Sequence, residues 1–133
     1  SVKRIIVEQG GTRSGKTYNI LIWIIFKYCM IHNNKTVTIC RKHGPSLRGS
    51  SMRDFFELLQ THNLYSEERH SKSLNEYRLN NNLVEFVSLD EPQKIRGRKR
   101  DLLFINEGNE LTYEDFFQLN IRTARYFNSL SFC

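Results

Sequence analysis

The sequence predicts an α/β fold built on a mostly parallel sheet, and three observations support this prediction. Short apolar segments typical of buried strands alternate with segments of helical periodicity. A glycine-rich turn joins the first apolar segment to the first helix. The chain has 133 residues, of which 39% are hydrophobic. We therefore expect one domain, residues 1–133, with a packed core.

Two strands and one helix are predicted at the start of the chain. Residues 5–7 (IIV) form a short apolar run that favours a buried strand, and residues 36–40 (TVTIC) are rich in the β-branched residues typical of strands. Between them, residues 20–31 are apolar on nearly every side, which predicts a buried helix. We expect Trp23 and Phe26 to lie in the core.

A second helix and a β-hairpin are predicted next. Ser51 and Asp54 have the spacing of a capping box, and the helix that follows has an apolar face. Residues 76–79 and 83–87 alternate polar and apolar side chains, and the asparagines between them favour a turn. These two segments predict an antiparallel hairpin.

The last predicted strand and helix follow a basic segment. Residues 94–100 contain five positively charged side chains, and residues 102–105 (LLFI) form a short, fully apolar strand. Thr112 and Asp115 have capping-box spacing and predict a helix that extends to about Leu119.

Charge and composition exclude some classes of protein and favour others. The formal net charge is +6, which favours a polyanionic partner: nucleic acid, a nucleotide or an anionic membrane surface. The alternative is that the chain is one of the many soluble domains that are mildly basic. The longest apolar run, residues 20–26, is far shorter than the roughly 20 residues of a membrane span. The cysteines and histidines lack zinc-binding spacing. We expect Cys29 and Cys40 to be reduced core residues.

Residues 10–17 have the sequence GGTRSGKT, which matches the phosphate-loop pattern GxxxxGK[ST]. Glycines let backbone N–H groups converge on an anion, and the start of the following helix adds its positive dipole end. Lys16 would place its charge on the β- and γ-phosphates of ATP, and the Thr17 hydroxyl would face Mg²⁺. Arg13 would either steady charge on the γ-phosphate or be a solvated loop residue. The predicted nucleotide-binding residues are Gly10, Gly11, Thr12, Arg13, Ser14, Gly15, Lys16 and Thr17.

Residues 102–107 (LLFINE) resemble the second motif of such ATPases, in which a strand ends in two acidic residues. Glu107 occupies the position of the base that activates water. Asn106 occupies the metal-side position, where its carbonyl could hydrogen-bond a Mg²⁺-bound water without adding charge. The alternative for both residues is an ordinary polar exit from a strand.

Further basic residues are candidates for contacts with DNA or a neighbouring subunit. Arg41 and Arg48 follow the second strand and would contact ATP or DNA across a subunit interface, or be solvated. The basic segment precedes the glutamate strand, so we expect it at the sheet edge opposite the active site. Its candidate DNA contacts are Arg96, Arg98, Lys99 and Arg100.

Three segments in order, GGTRSGKT, RKHGPSLRGSSMRDFF and EPQKIRGRKRDLLFINEGNELTYEDFFQLNIR, resemble the ATPase domain of phage terminase large subunits. The resemblance covers about residues 3–125 and is to the PBSX-like group, whose second motif is NEANEL. It implies a three-layer P-loop NTPase of the ASCE type that hydrolyses ATP to drive double-stranded DNA into procapsids. It also implies Lys16, Thr17 and Glu107 as phosphate, metal and base residues.

The resemblance further implies that the full-length protein forms a homo-oligomeric ring, with a portal protein and a small terminase subunit as partners. It also implies that the protein acts in the cytoplasm of an infected or lysogenic bacterial host and does not involve a membrane. Gly108 replaces the usual alanine, and the family's loop arginine aligns with Thr12, one residue before Arg13.

The end of the sequence carries two further expectations. The ASCE type has an added strand between the P-loop strand and the glutamate strand, which a segment after residue 133 would supply. Residues 123–132 are a weak candidate for it, and without it two buried strand edges would lose hydrogen-bond partners. We expect the domain to be truncated at its C-terminus, with no nuclease domain. Two alternatives remain: another P-loop ATPase, such as a helicase-like protein, and a relic that binds nucleotide or DNA without turnover.

Overall fold

The chain folds as an α/β protein around one mixed sheet. The computed structural model describes residues 2–9, 15–91, 95, 99–119 and 131–132. Seven strands form the sheet in the order β3-β4-β5-β2-β6-β1-β7. The strands are β1 (Val2–Val7), β2 (Thr36–Arg41), β3 (His70–Ser71), β4 (Glu76–Leu79), β5 (Asn82–Ser88), β6 (Arg100–Ile105) and β7 (Ser131–Phe132).

The helices connect these strands. A continuous helical segment consists of α1 (Lys16–Trp23), a π-helical turn (Ile24–Tyr28) and α2 (Cys29–Ile31). The other helices are α3 (Gly44–Arg48), α4 (Ser51–Thr61) and α5 (Tyr113–Gln118), with 3₁₀ turns at Glu67–Arg69 and Gly108–Glu110. None of the helices in the described part of the chain is long and apolar enough to cross a membrane.

The centre of the sheet is parallel and one edge is an antiparallel hairpin. β5, β2, β6, β1 and β7 run parallel, while β4 pairs antiparallel with both β3 and β5. This arrangement confirms the predicted mostly parallel sheet and the predicted hairpin. Parallel pairing also brings the carboxyl ends of β1, β2 and β6 to the same edge of the sheet.

The expectation that β1 and β6 would each lose hydrogen-bond partners, because an added ASCE-type strand is missing between them, is wrong for this structure. β1 pairs directly with β6, with Val2 opposite Arg100 and Val7 opposite Ile105. The two strands satisfy each other's backbone hydrogen bonds, so no gap between them needs filling. β7 pairs with the other side of β1, and residues 123–130 lie outside the described residues.

Apolar side chains fill both faces of the sheet. On one face α1, the π-helical turn and α4 pack against β-strand residues such as Val37 and Phe104. On the other face Leu119 and Phe116 of the α5 region pack against residues such as Val7 and Leu103. The sheet therefore lies between two helical layers. Cys29 and Cys40 are buried free thiols, as predicted, and burial raises the pKa of each to about 12.

Two details of the helices differ from the prediction. Phe26 is 37% exposed rather than buried, because the π-helical turn directs the consecutive Ile24 and Ile25 into the core and Phe26 outward. The capping box predicted at Ser51 is also wrong: α4 begins after Ser50, which makes no side-chain cap, and Ser51 is buried. The capping box of Thr112 and Asp115 at the start of α5 is confirmed.

Candidate functional site

The candidate site lies where β1, β6 and α1 meet. Glu8 follows β1, and Asn106 and Glu107 follow β6. α1 begins at Lys16, directly after Gly15, whose φ of 74° lies in the left-handed region that glycine adopts without strain. The beginning of the helix and the ends of two neighbouring parallel strands therefore converge, as a phosphate-binding site requires.

Three side chains from these elements form a hydrogen-bonded cluster. The Thr17 hydroxyl donates to Glu8 Oε1 at 2.6 Å, and Asn106 Nδ2 donates to the same oxygen at 2.5 Å. Asn106 Nδ2 also lies 3.3 Å from Thr17 Oγ1. The cluster places Thr17, the last residue of GGTRSGKT, against the end of the LLFINE strand.

Glu8 is the member of this cluster that the sequence analysis missed. Its side chain is 0% exposed, although a glutamate is almost never fully buried without a reason. A signal was present in the sequence, because Glu8 stands between a fully apolar strand and the first glycine pair of the phosphate loop. We overlooked it because the second motif was expected to supply both functional side chains.

The backbone after β6 contains an extra residue. Glu8 donates its N–H to the Ile105 carbonyl at 2.9 Å, and the regular parallel pattern would bring the N–H of Glu107 to the Glu8 carbonyl. The N–H of Gly108 makes that bond instead, also at 2.9 Å. Glu107 is therefore bulged out of the ladder and adopts φ 55° and ψ 57°, a left-handed conformation uncommon for glutamate.

Gly108 permits this close approach of the two chains. A Cβ atom at Gly108 would lie 2.4 Å from Cγ1 of Val7, far inside van der Waals contact. The sequence has glycine where the family resemblance predicts alanine, and the close contact with Val7 explains this difference.

The bulge leaves the Glu107 carboxyl group buried. The side chain is 5% exposed, and within the described residues its Oε2 has no hydrogen-bond partner. Burial raises the pKa of Glu107, the nearby charge of Glu8 raises it further, and the guanidinium of Arg41 opposes both effects. Strained backbone and a perturbed buried acid are features that concentrate at functional sites.

The comparison with known proteins agrees with this geometry. A family model described as phage terminase large subunit matches residues 2–130. The chain belongs to the phage terminase large subunit family. That membership gives it a role in phage DNA packaging, while the PBSX-like subgroup remains a prediction. No curated protein matches the sequence.

Arg41 of this terminase chain contacts residues of its own chain. Its Nε and Nη2 donate to the two carboxylate oxygens of Glu110 at 3.2 and 3.3 Å, and its Nη1 donates to Ser50 Oγ at 2.8 Å. The side chain is 11% exposed. Arg41 therefore links the end of β2 to the segment after Glu107, and these internal contacts do not favour the predicted contact with DNA or another subunit.

The other predicted site residues of the terminase chain are distributed differently. Lys16 is exposed at the start of α1, as a phosphate-contacting side chain requires, and Arg48 is exposed at the end of α3. Lys99 is exposed before β6. The residues that lie outside the described part of the chain are Gly10, Gly11, Thr12, Arg13, Ser14, Arg96 and Arg98.

Arg100 corrects the prediction of an exposed basic segment. It is 3% exposed, its Nη2 donates to the Ile95 carbonyl at 2.5 Å, and its Nε lies 3.8 Å from Glu85 Oε2. The assignment of Arg100 as a DNA contact was therefore wrong. A buried arginine is expected beside a buried acid, and here that acid is Glu85 of β5. The sequence did not reveal this pairing, because β5 and β6 are separate segments of the chain.

Proposed function

We propose that this chain is the ATPase core of a phage terminase large subunit, which binds ATP with Mg²⁺ and hydrolyses it to drive double-stranded DNA into a procapsid. Family membership supports the packaging role. The observation that carries the ATPase proposal is the contact of Thr17, at the start of the P-loop helix, with Glu8 and Asn106, beside the buried Glu107.

The residues at the start of α1 would bind the phosphates. The first N–H groups of α1 have no helical partner, and the helix dipole favours an anion there. Lys16 would add a compact positive charge on the β- and γ-phosphates. The remaining phosphate-loop residues, Gly10 to Gly15, would complete the binding site for the phosphates. Arg13 is the candidate for stabilising the negative charge of the transition state.

The residues around Thr17 suit a hard divalent cation. Hydroxyl and carboxylate oxygens are the donors that Mg²⁺ prefers, and buried Oε2 atoms of Glu8 and Glu107 have no hydrogen-bond partner among the described residues. Thr17 would contact the cation directly, and Asn106 was predicted to do so through water. Bound Mg²⁺ would neutralise phosphate charge during hydrolysis.

Glu107 would act as the general base. Its carboxylate lies next to the phosphate-binding elements, and its raised pKa makes the ionised form a stronger base than an exposed glutamate. The left-handed bulge fixes where this carboxylate is directed. The residue would orient the attacking water and accept its proton.

The packaging role implies partners beyond the nucleotide. In the terminase assembly we propose a homo-oligomeric ring that contacts duplex DNA, a portal protein and a small terminase subunit in the cytoplasm of the bacterial host. The net charge of +6 and exposed basic side chains such as Arg48 and Lys99 support contact with the phosphate backbone.

Two variants and one control test the ATPase proposal. Lys16→Ala should abolish binding of the ATP analogue AMPPNP with Mg²⁺ in calorimetry, because it removes the phosphate-facing charge. Glu107→Gln should bind the analogue but lose ATP turnover by about 10²-fold or more. The control Lys72→Ala removes an exposed lysine, 72% accessible, and should change neither.

The outcomes separate the candidate functions. If Lys16→Ala binds AMPPNP as tightly as the unmodified chain, the assignment of residues 10–17 as a phosphate loop is wrong. Analogue binding by the unmodified chain without any turnover would favour the alternative of a nucleotide-binding module that is not a motor. Normal turnover in Glu107→Gln would exclude that residue as the base.

A further inference from the structure

We infer that Glu8, the residue after β1, supplies the negative charge on the Mg²⁺ side of the phosphate site that Asn106 lacks. This inference rests on the proposed ATPase function. It moves the metal-side carboxylate from the glutamate strand to the end of the P-loop strand. Asn106 then becomes a positioning residue for Glu8.

The orientation of Asn106 is the first argument. Its Nδ2 lies 2.5 Å from Glu8 Oε1, and only a donor can lie so close to a carboxylate oxygen that already accepts from Thr17. The carbonyl Oδ1 lies on the opposite side, 3.3 Å from Ser50 Oγ. Asn106 therefore presents N–H, a group that repels a cation, to the side where Thr17 lies.

The environment of Glu8 is the second argument. Its Oε1 accepts from both Thr17 and Asn106, whereas its Oε2, fully buried, has no hydrogen-bond partner among the described residues. Thr17 donates its single hydroxyl proton to Glu8 and faces Asn106 Nδ2 with one lone pair, so its other lone pair remains available to a cation. A carboxylate that orients a ligand in this way also increases its electron donation.

Charge balance is the third argument. Two buried carboxylates, Glu8 and Glu107, would repel the phosphates of ATP unless a cation lies between them. Among the residues that the structure describes, no group of three or more His, Cys, Asp or Glu side chains could hold a metal ion. The cation would therefore bind well only together with the phosphates, and nucleotide affinity should depend steeply on Mg²⁺.

Calorimetry of AMPPNP binding with Mg²⁺ and with EDTA tests this inference. For the unmodified chain we expect affinity to rise strongly with Mg²⁺. Glu8→Gln keeps the size of the side chain and an acceptor for Thr17 but removes the charge. Its Mg²⁺-dependent gain should fall by about 10- to 100-fold, while its affinity in EDTA should equal or exceed that of the unmodified chain. The control Glu57→Gln, at an exposed position of α4, should keep the full gain.

A second pair of variants relocates the charge. Asn106→Asp alone places two carboxylates against each other and should weaken folding or Mg²⁺-dependent binding. Glu8→Gln combined with Asn106→Asp restores one carboxylate on the other strand and should recover most of the Mg²⁺-dependent gain. Because the double variant also restores an amide–carboxylate hydrogen bond, the EDTA measurement separates the roles: a purely structural role of Glu8 predicts that Glu8→Gln loses affinity equally with Mg²⁺ and with EDTA.

The inference and the proposed function fail in different ways. If Glu8→Gln shows the same Mg²⁺-dependent gain as the unmodified chain, the inference is wrong and the proposed function stands. If Glu8→Gln loses affinity equally with Mg²⁺ and with EDTA, Glu8 is a structural residue and the inference is wrong. If the unmodified chain binds no AMPPNP with or without Mg²⁺, both the proposed function and the inference are wrong.

Discussion

The two ends of the parallel sheet both contain buried charged side chains, but they balance these charges differently. Toward the amino ends of the strands, the buried Arg100 faces the buried Glu85 at 3.8 Å. At the carboxyl ends, the buried side chains Glu8 and Glu107 are both acidic. Buried atoms without a hydrogen-bond partner among the described residues occur at both ends, but Asp101 Oδ1 and Arg100 Nε at the amino end each lie within 3.9 Å of an opposite charge.

At the amino end, the acids have partners from their own chain. Glu85 accepts a hydrogen bond from the Thr38 hydroxyl at 2.5 Å and also faces Arg100. Asp101 accepts from the Thr36 N–H at 2.9 Å, and its other oxygen lies 3.9 Å from Lys99 Nζ. These groups tie β2, β5 and β6 together, so their role is structural.

At the carboxyl end, two buried carboxyl groups lie close together. Burial raises the pKa of Glu107, the nearby Glu8 raises it further and Arg41 lowers it, so we expect the two carboxylates to repel each other. Such an arrangement is retained where a ligand supplies the missing positive charge. The comparison therefore teaches that a pair of like buried charges is a better indication of a binding site than a pair of opposite buried charges.

The largest expected effect concerns the amino end. Arg100→Ala leaves Glu85 buried without its guanidinium partner and should lower the free energy of unfolding by about 3–5 kcal/mol. The control Lys72→Ala removes an exposed lysine, 72% accessible, and should change the free energy of unfolding by less than about 0.5 kcal/mol. Urea unfolding monitored by circular dichroism measures both. Equal effects of the two variants would show that Arg100 is not a structural residue.

A smaller effect is expected at the bulge near the carboxyl end. Gly108→Ala would bring its Cβ against Val7 Cγ1, where a contact of 2.4 Å cannot be accommodated without movement of β1 or β6. We expect a loss of about 1–3 kcal/mol in unfolding free energy.

The same variant in a Val7→Ala background provides the control, because the clashing methyl group is then absent. Gly108→Ala should cost clearly less there than in the unmodified chain. A cost that is identical in both backgrounds would mean that Val7 is not what requires the glycine.

The smallest effect is a pH dependence at the carboxyl end. The pKa of Glu107 is raised above its ordinary value of 4.5, so the folded chain retains this proton to higher pH than the unfolded chain does. The stabilisation that this provides is present below pH 4.5 and is lost as pH rises through the raised pKa, with a slope of at most about 1.4 kcal/mol per pH unit.

Subtracting the stability curve of Glu107→Gln isolates this contribution. The difference curve should decline with rising pH in that window. Asp90 and Asp115, whose pKa values are lowered, give the opposite slope and cancel in the subtraction. A difference curve that is flat or rises with pH would contradict the raised pKa of Glu107.

Sequence patterns were sufficient for the elements whose signals are local. The apolar strand of residues 102–105, the asparagine turn of the hairpin and the capping box of Thr112 each depend on neighbouring residues, and each prediction is confirmed. The strand order could not be predicted in this way. Whether β1 pairs directly with β6 depends on which strand edges are available for hydrogen bonds in the folded sheet, and neighbouring residues in the sequence carry no signal for this.

The same distinction applies to the candidate site. Lys16 and Thr17 belong to a contiguous motif, and their position at the start of α1 followed from it. Glu8 was missed and Arg100 was placed on the surface because burial and charge pairing arise only when distant strands meet. The bulge at Glu107 was equally invisible, since it depends on the register of β1 against β6 rather than on any residue type.

A matched pair of isosteric variants tests the central comparison most directly. Glu107→Gln and Glu85→Gln each remove one negative charge from a carboxyl group that is at most 5% exposed. We would measure their urea unfolding free energies at pH 8 without nucleotide or divalent cation. The account predicts opposite signs: Glu107→Gln should be more stable than the unmodified chain, and Glu85→Gln should be less stable by about 3 kcal/mol. A loss of stability in both variants would contradict the claim that Glu8 and Glu107 repel each other at the carboxyl end.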